Sequence, residues 1–405
     1  MGAHGQLRGP GRPHGRGGPG GAGHAPAALR RCDIALRIAI AHDYLTQRGG
    51  AERVVLAMAR AYPDATIHTL LYHPEETYPE FRDLRVVTSP LDRVGAIRRN
   101  HRAALPLMSW AAEQMHVDAD VVLVSSSGWA HGFGTAPHTR KLVYCHNPAR
   151  WLYQSETYLG HEPGRSAKGL ALMTLRRRLV AWDKQMAGRA DRYLANSQVV
   201  RERIRSVYGI DAPVLPPPHA LSPDATREPV PALADWAATG FHLVVSRLLP
   251  YKNVDRAIAA FEGFPAERLV VVGDGPERRA IEASLPGNVR LVSHLSDAQM
   301  RWCYAHCTAL VAPSIEDFGL TPLEGGAFGR PTLALRGGGY LDTVREGVTG
   351  LFFDTPTAAR IQAAVVDNQG REWDDDAIRQ HVDSFSEEQF AKRLDAEVAA
   401  LAGDG

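Results

Sequence analysis

Two carboxylates, Glu316 and Glu324, stand with seven residues between them in Ser314-Ile-Glu-Asp-Phe-Gly-Leu-Thr-Pro-Leu-Glu324. The run Ala309-Leu-Val-Ala312 before them reads as a strand, so the segment falls where a strand passes into a helix. A helix start exposes unpaired backbone N–H groups at the positive end of its dipole and suits a phosphate. Gly319 lets the backbone approach a ligand closely. The two acids could accept hydrogen bonds from sugar hydroxyls, one on a transferred sugar and one on a ribose. They are equally the acidic residues that a helix dipole favours in its first turn.

A second segment, Ser246-Arg-Leu-Leu-Pro-Tyr-Lys252, also lies just past a strand pattern. Arg247 offers a planar fork of donors and Lys252 a compact charge, and both suit a diphosphate. Alone they read as solvated loop cations; beside an anion-ready helix start they gain a target. Gly49-Gly50 follows a strand and His42-Asp43, and precedes a helix pattern, a context that allows close backbone approach to a substrate. His146 ends the strand pattern Lys141-Leu-Val-Tyr-Cys-His146, where ligands of open sheets bind, although a strand-end histidine also serves structure.

These residues need a scaffold, and the chain supplies a repeated one. Arg37–His42, Ala65–Leu70, Leu84–Val87, Ala119–Ser125, Lys141–His146 and Asp191–Ser197 read as strands, separated by helical stretches at 51–60, 93–113 (broken or kinked at Pro106) and 168–189. The prolines of Pro213-Val-Leu-Pro-Pro-Pro-His219 exclude a helix or central strand. The pattern then restarts, with strands at 241–246, 268–273, 289–292, 309–312 and 331–335, the last clear one, and helices at 254–264 and 296–306. Strands alternating with helices predict parallel sheets covered on both faces. The expected architecture is α/β, two Rossmann-like doubly wound domains facing an interdomain cleft. The boundaries are a disordered Gly/Pro/Arg-rich tail over 1–36, an N-terminal domain over 37–215 and a C-terminal domain over 216–385. A C-terminal helix over 386–405, with Phe390, Leu394, Val398 and Leu401 at helical spacing, is expected to pack back on the N-terminal domain.

Composition narrows the function. With 405 residues the chain has room for two domains, and its net charge of +1 supplies no bulk field for nucleic acid. The first residues lack an apolar core, so a secretory signal is not expected there. Cys32, Cys145, Cys303 and Cys307 are few and irregular, which fits a reducing compartment, and Cys303 and Cys307 read as buried thiols that could share a helix face rather than metal ligands. Asp118-Ala-Asp120 stands at the wrong end of a strand for a metal, and Asp374–Asp376 reads as a solvated run. A dinucleotide oxidoreductase is disfavoured, because no Gly-x-Gly-x-x-Gly follows the first strand. Arg93, Arg98, Arg99 and Arg102 followed by Leu105, Leu107, Met108 and Trp110, and separately Arg176–Arg178, could rest on an anionic membrane or form solvated helix faces.

Taken together, His42-Asp-Tyr-Leu with Gly49-Gly-Ala-Glu-Arg53, Tyr144-Cys-His-Asn-Pro-Ala-Arg150, Ser246–Lys252, Val272-Gly-Asp-Gly-Pro276 and Glu316–Glu324 resemble the retaining GT-B glycosyltransferases of family 4, nearest to bacterial O-antigen and capsule mannosyltransferases. The resemblance runs from about Arg37 to Leu401. It implies that Arg247 and Lys252 neutralise the donor diphosphate, Glu316 holds the transferred sugar and Glu324 the ribose. It further places the backbone of Phe318, Gly319 and Leu320 near sugar and phosphate, His146 beside the anomeric centre, Gly49 and Gly50 near phosphate and acceptor, and Gly273 among the donor-binding residues. The implied activity is retaining transfer of a hexose, with mannose from GDP-mannose favoured, to a saccharide or polyprenyl-linked acceptor. UDP-hexose donors, a sugar-nucleotide epimerase and a non-catalytic sugar-nucleotide-binding subunit are the alternatives. No metal cofactor is expected, and the implied location is cytoplasmic, with peripheral contact at the inner membrane face. Asn147 where threonine is more usual, the loop from Leu215 to Leu221, and Gly325-Gly326 depart from the family pattern.

Overall fold

The computed structural model describes residues 36–99, 105–154, 167–219 and 221–403. The predicted tail up to Ala35 and Arg102 of the basic cluster lie outside the described residues. Short apolar runs form β1 (Ile38–His42), β2 (Thr66–Thr69), β3 (Val86–Thr88), β4 (Val121–Ser126), β5 (Arg140–Cys145) and β6 (Arg192–Ala195). They pair in parallel in the order β3-β2-β1-β4-β5-β6, with Ile40 opposite Ile67 on one side and Leu123 on the other. β7 (Phe241–Val245), β8 (Leu269–Val272), β9 (Val289–Val292), β10 (Cys307–Ala312), β11 (Thr332–Leu335) and β12 (Gly350–Phe353) repeat the arrangement as β9-β8-β7-β10-β11-β12. Counted from its own first strand, each sheet therefore runs 3-2-1-4-5-6, the doubly wound order.

The sequence reading ended the second sheet at Leu335, and the structure adds β12. That strand has only four residues and begins at a glycine, so no pattern announces it. A Cβ at Gly350 would stand 2.0 Å from the Thr332 carbonyl oxygen, and glycine is what lets β12 pair with β11. Of the helical stretch over 93–113, broken or kinked at Pro106 in the sequence reading, the described residues form helices at Gly95–Arg99 and Leu105–Gln114, and Pro106 sits in the first turn of the latter, where its missing N–H costs nothing.

Both faces of both sheets are covered, which explains why the strands are apolar without alternation. On one face of the first sheet, α1 (Gly50–Ala61) contributes Val54, Val55 and Met58 to a core shared with Ile40, Ile67 and Leu123. α2 (Gln198–Tyr208) follows β6; Ser197 caps it by accepting from the Val200 N–H, and Gly209 ends it in the left-handed region. In the second half, α3 (Asp297–His306) opens with a reciprocal Ser296–Gln299 capping box. α4 (Thr321–Gly326) is short because it must fit tightly. A Cβ at Gly325 would stand 2.2 Å from Leu310, and one at Gly326 2.7 Å from Val382, which accounts for the unusual glycine pair. α5 (Glu387–Gly403) buries Phe390, Leu394, Val398 and Leu401 in the core of the first sheet, and its acids pair there with Arg60 and Arg192.

Cys303 lies on α3 and Cys307 opens β10; both are buried free thiols, pushed up to about 12 by burial. Asp118 and Asp120 pair with Arg37 at the strand-start edge of the first sheet. Asp374, read as part of a solvated run, is an N-cap that accepts from the Asp376 and Ala377 N–H groups.

Candidate active site

In a 3-2-1-4-5-6 sheet the connections leave in opposite directions after strands 1 and 4, and a crevice opens at their carboxyl ends. Here those ends are His42 with Ser125 in the first sheet, and Val245 with Ala312 in the second. One cavity of about 430 Å³ is lined from both halves: by Gly50, His146, Arg150 and Asn196 on one side, and by Arg247, Lys252, Glu316, Phe318, Gly319 and Leu320 on the other. Gly49, Gly273 and Glu324 are not among its lining residues, and their positions are described below.

The cation loop follows β7. Pro250–Lys252 makes one 3-10 turn, Asn253 adopts φ 53°, and its side-chain N–H donates to the Pro313 carbonyl at 2.9 Å. That bond ties the loop of Lys252 to the loop of Glu316. Gly273 lies beneath: a Cβ there would stand 1.9 Å from the Ser246 carbonyl oxygen, so glycine allows the strand end of β8 to press against the Arg247 loop. Arg247 is exposed to the cleft, and no carboxylate among the described residues pairs with it.

Lys252 is not free. Its ammonium contacts Glu316 Oε1, and the Ser314 hydroxyl donates to the same oxygen at 2.6 Å. The two predicted donor-binding charges neutralise each other across the gap between two neighbouring loops. A diphosphate taking the lysine and a hydroxyl taking the glutamate would replace this pair one partner at a time. Gly319 has φ 84°, and an added Cβ would lie 2.4 Å from the Tyr340 ring, so both conformation and space demand glycine. Behind it, the Gly339 N–H donates to the Glu316 carbonyl at 2.8 Å, and Gly338 and Gly339 abut the Glu316–Phe318 backbone too closely for side chains. Glu324, on α4, accepts from the buried Tyr304 hydroxyl at 2.7 Å.

The first half offers a different surface. Asp43 is buried and accepts from the N–H groups of Ser127, Trp129 and Ala130 and from the Ser126 hydroxyl, so it pins the turn after β4. His42 Nδ1 lies 3.0 Å from both the carbonyl and hydroxyl oxygens of Ser125, and the same hydroxyl lies 2.8 Å from His146 Nε2. A carbonyl only accepts, so His42 Nδ1 carries the proton. The Ser125 hydroxyl then donates to His146 Nε2, and the neutral His146 ring keeps its proton on Nδ1. Burial first, and then the neighbouring His42, hold His146 down at about 3, against the pull of Asp317. For His42, burial is offset by the Glu52 carboxylate 4.0 Å away and by Asp43, and the net direction is up. Glu52 itself is fully buried under Gly49, where a Cβ would collide with its Oε2 at 2.6 Å. Gly49 thus serves as the N-cap of α1 and as a gap for Glu52, while Gly50 faces the cleft, where an added Cβ would stand 3.3 Å from the Leu320 side chain.

Sequence reasoning missed Asn147, Arg150, Arg203 and Asp317. The Asn147 amide donates to Asp317 Oδ2 at 2.9 Å, Arg150 pairs with the same oxygen, and Arg203 pairs with Oδ1. Each looks like a loop or surface charge in isolation; only their convergence from separate elements reveals them. The asparagine where threonine is more usual was the one available signal.

Two doubly wound sheets whose switch points share one cleft define the GT-B fold. Within that fold the chain is a glycosyltransferase: residues 48–219 match the model of Glycosyltransferase Family 4, and residues 239–368 that of Glycosyl transferases group 1. It is similar to the alpha-1,3/1,6-mannosyltransferase ALG2 of Dictyostelium discoideum, at 24% identity over 376 residues, covering 78% of this chain and 85% of that protein. A GDP-mannose-dependent alpha-mannosyltransferase of Corynebacterium glutamicum is 32% identical over 123 residues, 29% of each chain. Among solved structures, Anabaena HepE in complex with UDP-glucose superimposes with a TM-score of 0.62 at 18% identity, covering 90% of this chain and 100% of that one. Among the described residues no helix is long and apolar enough to cross a membrane.

Proposed function

We propose that the protein transfers a hexose, with mannose from GDP-mannose favoured, to a saccharide or polyprenyl-linked saccharide acceptor, with retention of anomeric configuration, in the synthesis of a cell-surface polysaccharide or glycolipid such as O-antigen or capsule. The observation that carries this reading is the convergence of Arg247, Lys252 and Glu316 on one cleft at the switch point of the second sheet. The two mannosyltransferase relatives favour mannose, and the solved structure with UDP-glucose keeps UDP-hexoses as the alternative donors.

Departure of the nucleoside diphosphate builds negative charge on phosphate oxygen while positive charge grows on the sugar ring. Arg247, Lys252 and the N–H groups after Gly319 lie where the first of these charges forms. Fixed donors of this kind stabilise the transition state more than the bound substrate. Glu316 holds the sugar by its hydroxyls, and Glu324, steadied by Tyr304, receives the ribose. His146 presents a neutral ring at the opposite wall, beside the anomeric carbon. The acceptor hydroxyl attacks from the face the phosphate leaves, and phosphate oxygen takes its proton. The reading needs no metal ion, because two built-in cations supply the charge. Closing the halves excludes water, which would otherwise hydrolyse the donor.

The proposed site of action is the cytoplasmic face of the membrane. Val94, next to Arg93 in the chain, and Leu107 and Trp110 are exposed, whereas Met108, grouped with them in the sequence, is buried in the core. The deciding experiment screens GDP-mannose and UDP-hexoses by thermal shift and by product analysis with a polyprenyl-linked saccharide. Stabilisation by GDP-mannose with acceptor-dependent release of GDP is expected. Response to UDP-sugars alone would reject mannose transfer from GDP-mannose, conversion of the donor without acceptor would indicate an epimerase, and binding without turnover a non-catalytic subunit.

A further inference from the structure

Asp317 sits between Glu316 and Phe318 in the second half, yet all three of its side-chain partners come from the first. Asn147 is the residue after His146; Arg150 opens the short helix Arg150–Tyr153; Arg203 lies on α2. The carboxylate is only 15% exposed, and its two oxygens divide the donors, Oδ2 taking Asn147 and Arg150 and Oδ1 taking Arg203. The amide orientation of Asn147 follows from the charge, since its oxygen would repel a carboxylate. A single exposed ion pair would signify little. Two guanidinium groups and an amide on one largely covered carboxylate are a specific arrangement.

We propose that Asp317 is a cross-cleft positioning residue, whose three bonds to the first half set the separation between His146 and Glu316 once a sugar donor is bound. The adjacency is what gives the bond this reach. Consecutive Cα atoms are about 3.8 Å apart, so joining Asn147 to Asp317 also fixes His146 against Glu316. The Glu316–Phe318 backbone is held from behind by Gly338 and Gly339, so a pull on Asp317 moves the loop and not the aspartate alone. A second bond supports the same register: the Gln198 N–H, at the start of α2, donates to Asp342 of the second half at 2.8 Å. α2 is therefore fastened to the second half at its first residue and again at Arg203. Asn147 and Asp317 are covered, but the guanidinium groups keep partial contact with water, Arg150 being 37% and Arg203 25% exposed, which lowers the cost of separating them when the cleft reopens.

The inference rests on the proposed transferase function and adds a role distinct from donor binding. Donor affinity is carried by groups of the second half, whereas Asp317 aligns that half with the opposite wall. The test compares Asp317→Asn and Arg203→Gln with the wild type, measuring donor affinity by calorimetry, transfer and donor hydrolysis by product analysis, and unfolding temperature. Arg203→Gln, on the surface of α2, guards against misfolding of the aspartate variant. Donor affinity within about threefold of wild type, transfer slowed at least tenfold in Asp317→Asn and less in Arg203→Gln, and a larger share of donor lost to water are expected. Unchanged transfer and hydrolysis in both variants would overturn the inference, as would a loss of donor affinity that matches the loss of transfer. Failure of the wild type to bind any nucleotide sugar would instead remove the transferase reading itself, and the inference with it.

Discussion

The two halves share a strand order and differ in what their switch points present. At the end of β1 and β4 the polar groups face one another: His42, Ser125 and His146 form a closed hydrogen-bonded row, and Asp43 is consumed by backbone N–H groups. At the end of β7 and β10 the polar groups face the cleft: Arg247 stands unpaired by any described carboxylate, and Lys252 meets Glu316 across the gap between two loops. One topology thus yields a prearranged neutral wall and a charged grip. The distinction is set by the residues that follow each strand, not by the strands.

Removing a charge from the grip should have the largest effect. Lys252→Ala is expected to reduce kcat/KM by at least ~100-fold, the scale of one lost transition-state donor, and Glu316→Ala by a similar factor through loss of the acceptor that holds the sugar hydroxyls, with the unfolding temperature of each close to wild type. Full activity in either variant would break the contrast between the halves. On the neutral wall the effect should be smaller. Ser125→Ala removes the hydroxyl that fixes the His146 tautomer and should slow transfer about five- to tenfold, the worth of one hydrogen bond, without weakening donor binding. A matching fall in donor affinity would mean that the wall, too, grips.

Acid should expose the neutral histidines by way of stability. His146 is held at about 3 and His242, buried in the second half, at about 4, each by burial. Between those values and the unfolded value near 6.5 the unfolded chain binds protons that the fold refuses, so stability present above pH 6.5 is lost as pH falls. The loss approaches about 1.4 kcal/mol per pH unit for each such histidine. Urea midpoints at pH 7 and 5 should show this slope, and His242→Phe should reduce it; a midpoint independent of pH would contradict the assignment. The smallest effect concerns the outer surface of the first half, where Val94, Leu107 and Trp110 are exposed. Weak, salt-sensitive binding to anionic vesicles is expected, reduced in Trp110→Ala, and no sedimentation with vesicles at low salt would dismiss membrane contact.

The fold was legible because parallel strands covered on both faces write themselves as short apolar runs, from Ile38–His42 to Thr332–Leu335. β12 escaped because its four residues gain their partner through Gly350, a contact no periodicity encodes. Glu316, Arg247 and Lys252 were legible as charges placed just past strands. The pairing of Lys252 with Glu316 was not, since it depends on two loops tied together through Asn253 and Pro313. Gly49 and Gly273 were read as ligand contacts, and the structure gives each a second reason to be glycine: an added Cβ would collide with Glu52 Oε2 or with the Ser246 carbonyl oxygen. A glycine's sequence context does not reveal whether it makes room for a ligand or for a neighbouring part of the chain.

The burial of Phe390, Leu394, Val398 and Leu401 against α1 and β5 bears on how the molecule is made. A ribosome releases the first sheet long before it releases the helix that seals one of its faces. Until residues 387–401 have emerged, the part of that face beside α1 is bare hydrocarbon, so the first sheet waits for a segment made after the whole second sheet.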